Sequence, residues 1–181
     1  MKLKEFLQGK ALGHPSHPFF VHFPSALFPA SLLLDLLSWW ADAPGLARAA
    51  VYDLALGCGF GLLAVLTGFL DYLGMIPGSR KHRVATWHWV IQVAVMGTFT
   101  LSLGVRAALS VPFPTPVWLL ALSAFGVLGL LVGSYFGGEL VYRMGMRVST
   151  GPQPPPPLLV PFKVLWRSLR GMGERQQPAR R

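Results

Sequence analysis

The stretch VWLLALSAFGVLGLLVGSYFGGELVY, residues 117–142, decides the fold, because Glu139 is the only charged side chain among its 26 residues. About 20 apolar residues in helical form are enough to cross the hydrocarbon core of a bilayer. Inside that core every backbone amide must find its partner within the segment or a closed barrel. The stretch is therefore predicted to be a membrane-spanning α-helix.

Three further stretches of the same kind precede it, at about residues 18–41, 50–75 and 84–109. Proline and glycine mark the breaks between them. Only 13% of the residues are charged, against roughly 25% in soluble domains. We predict an all-α protein, an up-down four-helix transmembrane bundle over residues 18–148. An N-terminal segment (1–17) precedes the bundle, and a Pro-rich linker with a basic tail (149–181) follows it.

Positive charge near the span ends predicts the orientation of the bundle. One side carries most of it: Lys2, Lys4, Lys10, Arg80, Lys81, Arg83, Arg143 and Arg147. The opposite loops offer only Arg48 and Arg106. Because Lys and Arg are enriched on the cytoplasmic side, both termini are expected to be cytoplasmic, with Trp87 and Trp89 at the inner interface. The tail over 161–173 is expected to form a basic amphipathic helix on the inner leaflet, the alternative being a disordered tail.

Motifs of soluble enzymes are missing from the sequence. It contains no Walker loop, no nucleotide-binding glycine fingerprint and no HExxH. The lone Cys58 excludes an internal disulfide framework and a CxxC motif. The net charge of +9 gathers at span ends, which favours a lipid surface over nucleic acid. Enzyme activity is therefore the less favoured expectation.

All five histidines fall in two short windows: His14, His17, His22, His82 and His88. In an up-down bundle both windows lie on the cytoplasmic side. His22 and His88 each lie four to five residues inside a span, roughly 6–8 Å deep at 1.5 Å per residue. The first and third helices of such a bundle are diagonal. We therefore expect these two imidazoles to face each other across the core, as a candidate functional site.

Glycines at helical spacing line the second and fourth spans, and the site predicted from them contains Gly61, Gly68, Gly129 and Gly133. Such residues leave room for close packing or for a flat ligand. Histidine is a usual axial ligand of haem iron. The pattern suggests a small b-type cytochrome-like electron-transfer protein that holds haem b between His22 and His88.

Two alternatives remain open at this point. The first is a divalent transition metal ion, bound or transported through His14, His17, His22, His82, His88 and Asp71. The second is an accessory subunit of a membrane complex, alone or as a homo-oligomer, whose histidines only pack. A redox or complex partner is compatible with either.

The acidic residues inside the spans need partners. Asp71 is expected to orient an imidazole, and Glu139 to pair with Arg143, four residues on. Asp35 is a lone carboxylate within the first span. It is expected to face the bundle interior, where protonation would lower the cost of its burial.

Four motifs resemble the DUF2231 family of predicted bacterial membrane proteins. They are GHPSHP with VHFP (residues 13–24), TGFLDY (67–72), His88 after a basic loop, and GGELVYRMG (137–145). Gln92 departs from the family pattern, in which an asparagine is expected. The resemblance covers about residues 13–148 and implies a four-helix domain in a bacterial inner membrane. Fusions of relatives to Rieske-type iron–sulfur domains hint at electron transfer.

Overall fold

The computed structural model describes residues 7–9, 14–109 and 113–148. Four long helices account for most of them: α1 Ser16–Ala41, α2 Pro44–Tyr72, α3 Arg80–Ala108 and α4 Val117–Gly138, which runs into a π-helical turn, Glu139–Arg143. All four are long and apolar enough to span a membrane. The predicted all-α, four-span fold is confirmed. The expected linker and tail helix lie outside the described residues.

Three helices begin earlier than the sequence suggested. α3 begins at Arg80 rather than at residue 84, after Ser79 as its N-cap, and in α1 and α2 the reason is proline. α1 begins at Ser16 rather than at residue 18, and α2 begins at Pro44 rather than near residue 50. The first four N–H groups of a helix have no intrahelical partner, so a proline in the first turn loses no hydrogen bond. His17 consequently belongs to the first turn of α1 rather than to the segment before it.

The helices pack in chain order around one core. Each contacts the next along the chain, and α4 returns to contact α1, which makes α1 diagonal to α3. Phe28 of α1 and Phe99 of α3 stack across this diagonal, with ring centroids 4.0 Å apart. Leu54, Val95 and Leu130 complete the buried apolar cluster. Serines fill much of the remaining interior, as small residues do in membrane bundles.

Asp35 faces the bundle interior as predicted, but it is not a lone carboxylate. Arg106 of α3 donates to both of its oxygens, at 3.1 and 2.6 Å, and the Thr115 hydroxyl donates to one at 2.8 Å. The Arg106 guanidinium and the Thr115 hydroxyl therefore offset the cost of burying the Asp35 side chain. Arg106, which the sequence suggested as a loop charge, is itself buried.

The hairpins α1–α2 and α3–α4 repeat one packing pattern. Residues with equivalent core positions lie 71 apart in α1 and α3: His17 and His88, Phe28 and Phe99, Ser31 and Ser102, Asp35 and Arg106. The glycines on which the first two pairs rest lie 69 apart in α2 and α4: Gly57 and Gly126 under the phenylalanines, Gly68 and Gly137 under the histidines. Equivalent positions of the two halves therefore meet at the same levels of the core.

Candidate functional site

A cavity of about 380 Å³ lies between the helices, toward the end of the bundle where α1 and α3 begin. We call this the histidine end. His17 and His88 line the cavity, and core residues Phe28, Val95 and Leu130 line its inner part. The volume lies within the range of roughly 300–1,000 Å³ that is typical of small-molecule and cofactor sites. Its walls are mainly apolar, so few polar groups are available to orient a ligand.

His17 is anchored to α2 through one ring nitrogen. Its Nδ1 lies 2.9 Å from the carbonyl oxygen of Ala64. Because a carbonyl oxygen can only accept, Nδ1 carries the proton in this contact, and Nε2 keeps its lone pair in the neutral ring. The ring rests on Gly68, where an added Cβ would lie 2.8 Å from His17 Cε1. Glycine is therefore required for the ring to approach α2 this closely.

His88 repeats the arrangement on the other hairpin. Its Nδ1 donates to the carbonyl oxygen of Gly133 at 2.8 Å, and a Cβ added to Gly137 would lie 3.0 Å from His88 Cε1. In both halves the accepting carbonyl precedes the supporting glycine by four residues. An imidazole that donates Nδ1–H to a backbone carbonyl is the usual arrangement of a metal-ligating histidine. The cavity is thus lined by two imidazoles anchored through Nδ1, and in the neutral ring this contact leaves Nε2 as the nitrogen that can bind a metal.

His22 is not part of this arrangement, and the prediction that it faces His88 is wrong. The side chain is exposed, its Nδ1 contacts the carbonyl oxygen of Pro18 on its own helix, and it does not line the cavity. The reason is helical phase. The buried face of α1 includes Pro24, Phe28, Ser31, Asp35 and Ser38. His17 lies two turns before Pro24, on that face, whereas His22 lies about 200° away from Pro24 at 100° per residue.

The remaining histidines also stay apart from the cavity. His14 is exposed, and His82 stacks on Tyr72 with ring centroids 4.8 Å apart. Within the described part of the chain, no three His, Cys, Asp or Glu side chains gather where they could hold a metal ion. The larger metal-binding cluster predicted from the sequence is therefore not assembled.

Side chains, rather than open space, occupy the positions over the predicted site glycines. His17 covers Gly68 and Met96 covers Gly61 in α2, while Val95 covers Gly129 and Gln92 covers Gly133 in α4. Each of these side chains comes from α1 or α3. The glycines let those side chains approach the backbones of α2 and α4. The free volume of the cavity lies beside these side chains rather than directly over the glycines.

Asp71 lies at the mouth of the cavity and does not orient an imidazole. Its carboxylate accepts from Gln8 Nε2 at 3.0 Å and forms an ion pair with Arg147. Backbone carbonyls take the orienting role that was predicted for it. Glu139 does pair with Arg143, at 3.4 Å as predicted, and also with Arg80 at 3.8 Å.

Trp89 is a cavity residue that the sequence suggested only as an interfacial aromatic. It lines the cavity, and its buried indole Nε1 has no hydrogen-bond acceptor among the described residues. His17 was likewise assigned only to the metal alternative. The repeat could have identified its role, because His17 precedes Phe28 by the same eleven residues by which His88 precedes Phe99.

Comparison with known proteins identifies one family. The sequence model of the family described as predicted membrane protein (DUF2231) matches residues 13–150, a region that includes all four helices and the cavity. No curated protein and no solved structure matches the chain.

Proposed function

The chain belongs to the DUF2231 family of predicted membrane proteins, and we propose that it binds one haem between His17 and His88 and carries single electrons in the membrane. The observation behind this proposal is the pair of anchored imidazoles lining one cavity, each with no hydrogen bond to Nε2 among the described residues. Haem iron is commonly held by axial histidine. His22, which the sequence favoured, has no place in the proposal.

The donor set fits haem better than a bare metal ion. A porphyrin supplies four nitrogens to its iron, so the protein needs to add only the axial ligands. Two imidazoles meet that need. A structural zinc site uses four protein ligands and a catalytic site three, and no group of three His, Cys, Asp or Glu comes together in the described residues.

The chain's own residues would bind, orient and shield the group. The carbonyls of Ala64 and Gly133 fix the ring orientation of His17 and His88 and raise the basicity of Nε2. Core residues such as Phe28 and Val95 limit the access of water to the inner part of the cavity. Haem, when bound, supplies one-electron chemistry at its iron. If His17 and His88 both bound the iron, no coordination position would be left for a substrate, which favours electron transfer over catalysis.

We further propose that the histidine end faces the cytoplasm of a bacterial cell. Arg80, Lys81, Arg83, Arg143 and Arg147 all lie at this end. At the opposite end Arg106 is buried in its pair with Asp35, which leaves Arg48 there and sharpens the charge asymmetry. Positive charge concentrates on the cytoplasmic side of membrane proteins. A redox partner reaching the haem from this side would meet a basic surface.

Titration of the detergent-solubilised full-length protein with hemin tests the proposal. We expect binding of one hemin per chain, with the visible spectrum of a six-coordinate, low-spin haem. His17→Ala and His88→Ala should each lose that spectrum. His22→Ala is the matched control, since it removes an exposed imidazole from the same helix as His17, and should bind hemin as the wild type does.

The competing functions give different results in the same preparation. A protein that takes up no hemin but binds a transition metal ion through His17 and His88 would favour the metal-binding function. A protein that binds neither would leave the histidines with a packing role. Either result would remove the haem proposal.

A further inference from the structure

A second pocket lies at the histidine end, between the start of α3 and the π-helical turn that follows α4. Its volume is about 360 Å³. It is separate from the cavity between the histidines, because no described residue lines both. Four of its five lining residues are charged, and we call it the arginine pocket: Arg80, Lys81, Glu139, Arg143 and Met144.

The positive charge of the arginine pocket exceeds its negative charge. Glu139 is shared between two guanidiniums, that of Arg80 at 3.8 Å and that of Arg143 at 3.4 Å. Lys81 forms no ion pair with the described residues. Three cations and one carboxylate therefore leave a net charge of +2 on the described lining. Both guanidiniums are mainly exposed, and each has five N–H donors, so the pair with Glu139 leaves most of these donors available to a further anion.

The arginine pocket lies at the level of the lipid headgroups. α3 has 29 residues and is roughly 43 Å long at 1.5 Å per residue, whereas the hydrocarbon core of a bilayer is about 30 Å thick. Its first residues, Arg80 and Lys81, therefore extend beyond that core. Trp87 lies on the same face as Arg80, two turns further along, and is 62% exposed. Tyr142, next to Arg143, is 89% exposed. Exposed aromatic side chains of this kind are typical of a membrane–water interface.

We propose that the arginine pocket binds the phosphate of an anionic phospholipid, whose acyl chains lie along the apolar outer surface of the bundle. Guanidinium groups bind phosphate oxygens through paired N–H donors, and the ammonium of Lys81 adds a compact positive charge. Basic pockets between transmembrane helices bind the headgroups of anionic lipids in this way. The net charge of +2 favours a lipid with net negative charge over a zwitterionic one. An acidic protein surface is less favoured, because the pocket lies at the ends of two apolar spans, where lipid is the immediate neighbour.

Native mass spectrometry of the detergent-solubilised full-length protein tests the proposal. Phosphatidylglycerol, which is anionic, and phosphatidylethanolamine, which is zwitterionic, are added in turn with identical acyl chains. We expect the wild type to bind one phosphatidylglycerol per chain and to bind it more tightly than phosphatidylethanolamine. Arg80→Gln and Arg143→Gln should each weaken the binding of phosphatidylglycerol about fivefold, the effect of one basic residue close to an anionic lipid.

Arg83→Gln is the matched control. Arg83 is exposed three residues further along α3, its guanidinium donates to the Gly78 carbonyl, and it does not line the pocket. The variant removes the same charge from the same end of the bundle, so its affinity for phosphatidylglycerol should stay near the wild-type value. Inorganic phosphate at the same concentration as the lipid should not displace it, because a free anion has no acyl chains to hold it at this depth.

Three outcomes would overturn the proposal. Equal weakening in Arg83→Gln, Arg80→Gln and Arg143→Gln would show a diffuse attraction to the basic end rather than a pocket. Equal affinity of the wild type for the two lipids would remove the preference for an anionic headgroup and leave the pocket as a surface for an acidic protein. Displacement of the lipid by inorganic phosphate would identify free phosphate as the occupant. None of these results depends on hemin, so the proposal stands or fails apart from the haem function.

Discussion

Asp35 and Arg106 form a two-point ion pair across the diagonal of the bundle, and they are separated by the same 71 residues that separate His17 from His88. Both side chains are at most 3% exposed. The repeat thus places opposite charges at equivalent positions of its two halves, at the far end of the helices from the histidines. This contact joins α1 to α3 and helps to fix the level at which His17 and His88 meet.

Breaking this pair should destabilise the protein strongly. Asp35→Asn leaves the Arg106 guanidinium buried without its counter-charge, and removal of one partner of a buried pair typically costs about 3–5 kcal/mol. We expect a marked fall in the midpoint of thermal unfolding in detergent. The double variant Asp35→Leu/Arg106→Leu, which removes both charges, should recover most of the loss. A single variant as stable as the wild type would contradict a stabilising role for the pair.

A methyl group under either imidazole should weaken haem binding. Gly68→Ala places a Cβ 2.8 Å from the His17 ring, so the ring must shift and its bond to the Ala64 carbonyl is strained. Loss of such an orienting contact costs about 10–100-fold in metal affinity. We expect hemin affinity to fall by at least about tenfold, measured by optical titration, and Gly137→Ala to act on His88 in the same direction.

Gly97→Ala is the control for the glycine variants. Apart from the nearby backbone of α3 itself, no described atom lies within 4 Å of a Cβ built at this position, so both stability and hemin affinity should stay near the wild-type values. Equal affinities for all three alanine variants would show that the close approach of the imidazoles to α2 and α4 has no bearing on binding.

The sequence was sufficient for the fold and insufficient for the site, and α1 shows why. Length and apolar composition establish a membrane span whatever its rotation, so residues near 18–41 could be recognised at once. The choice between His17 and His22 depends on helical phase, which is set by packing against α2 and α4. His22 was favoured because it lies deeper in the predicted span, and the internal repeat that favours His17 becomes visible only when Phe28 and Phe99 are aligned.

Asp35 illustrates a second limit of sequence reasoning. The carboxylate was recognised as one that must face the interior, but its partner lies 71 residues away and could be counted equally well as a loop charge. Only the packing of α1 against α3 assigns Arg106 to Asp35. Pairings between distant helices depend on the relative height of the helices, which composition does not determine.

Two acidic residues at the histidine end should differ sharply in their importance. Asp71 is buried, where it holds Gln8 from the N-terminal side and Arg147 from the C-terminal side. Glu139 pairs with two arginines that are 78% and 74% exposed, and exposed pairs contribute only about 0–1 kcal/mol. Asp71→Asn should therefore accelerate amide hydrogen exchange in residues 144–148, whereas Glu139→Gln should not. Equal exchange in both variants would argue against Asp71 as the anchor of this segment.

The proposed orientation can be tested by labelling single cysteines in intact cells. With Cys58→Ala as background, Gly45→Cys marks the end of the bundle opposite the histidines, and Ile76→Cys marks the histidine end. Both native residues are exposed. A membrane-impermeant thiol reagent should label position 45 in intact cells and position 76 only after permeabilisation. The reverse pattern would place the histidine end outside the cytoplasm.

The most direct test of paired ligation is the electron paramagnetic resonance spectrum of the ferric, hemin-loaded protein. We predict a low-spin signal from two axial imidazoles in the wild type and in His22→Ala. The signal should change to high spin in His17→Ala and in His88→Ala, and added free imidazole should restore it in both. A high-spin wild type, or a low-spin signal that survives the loss of His17 or His88, would contradict the proposal that these two residues hold one iron between them.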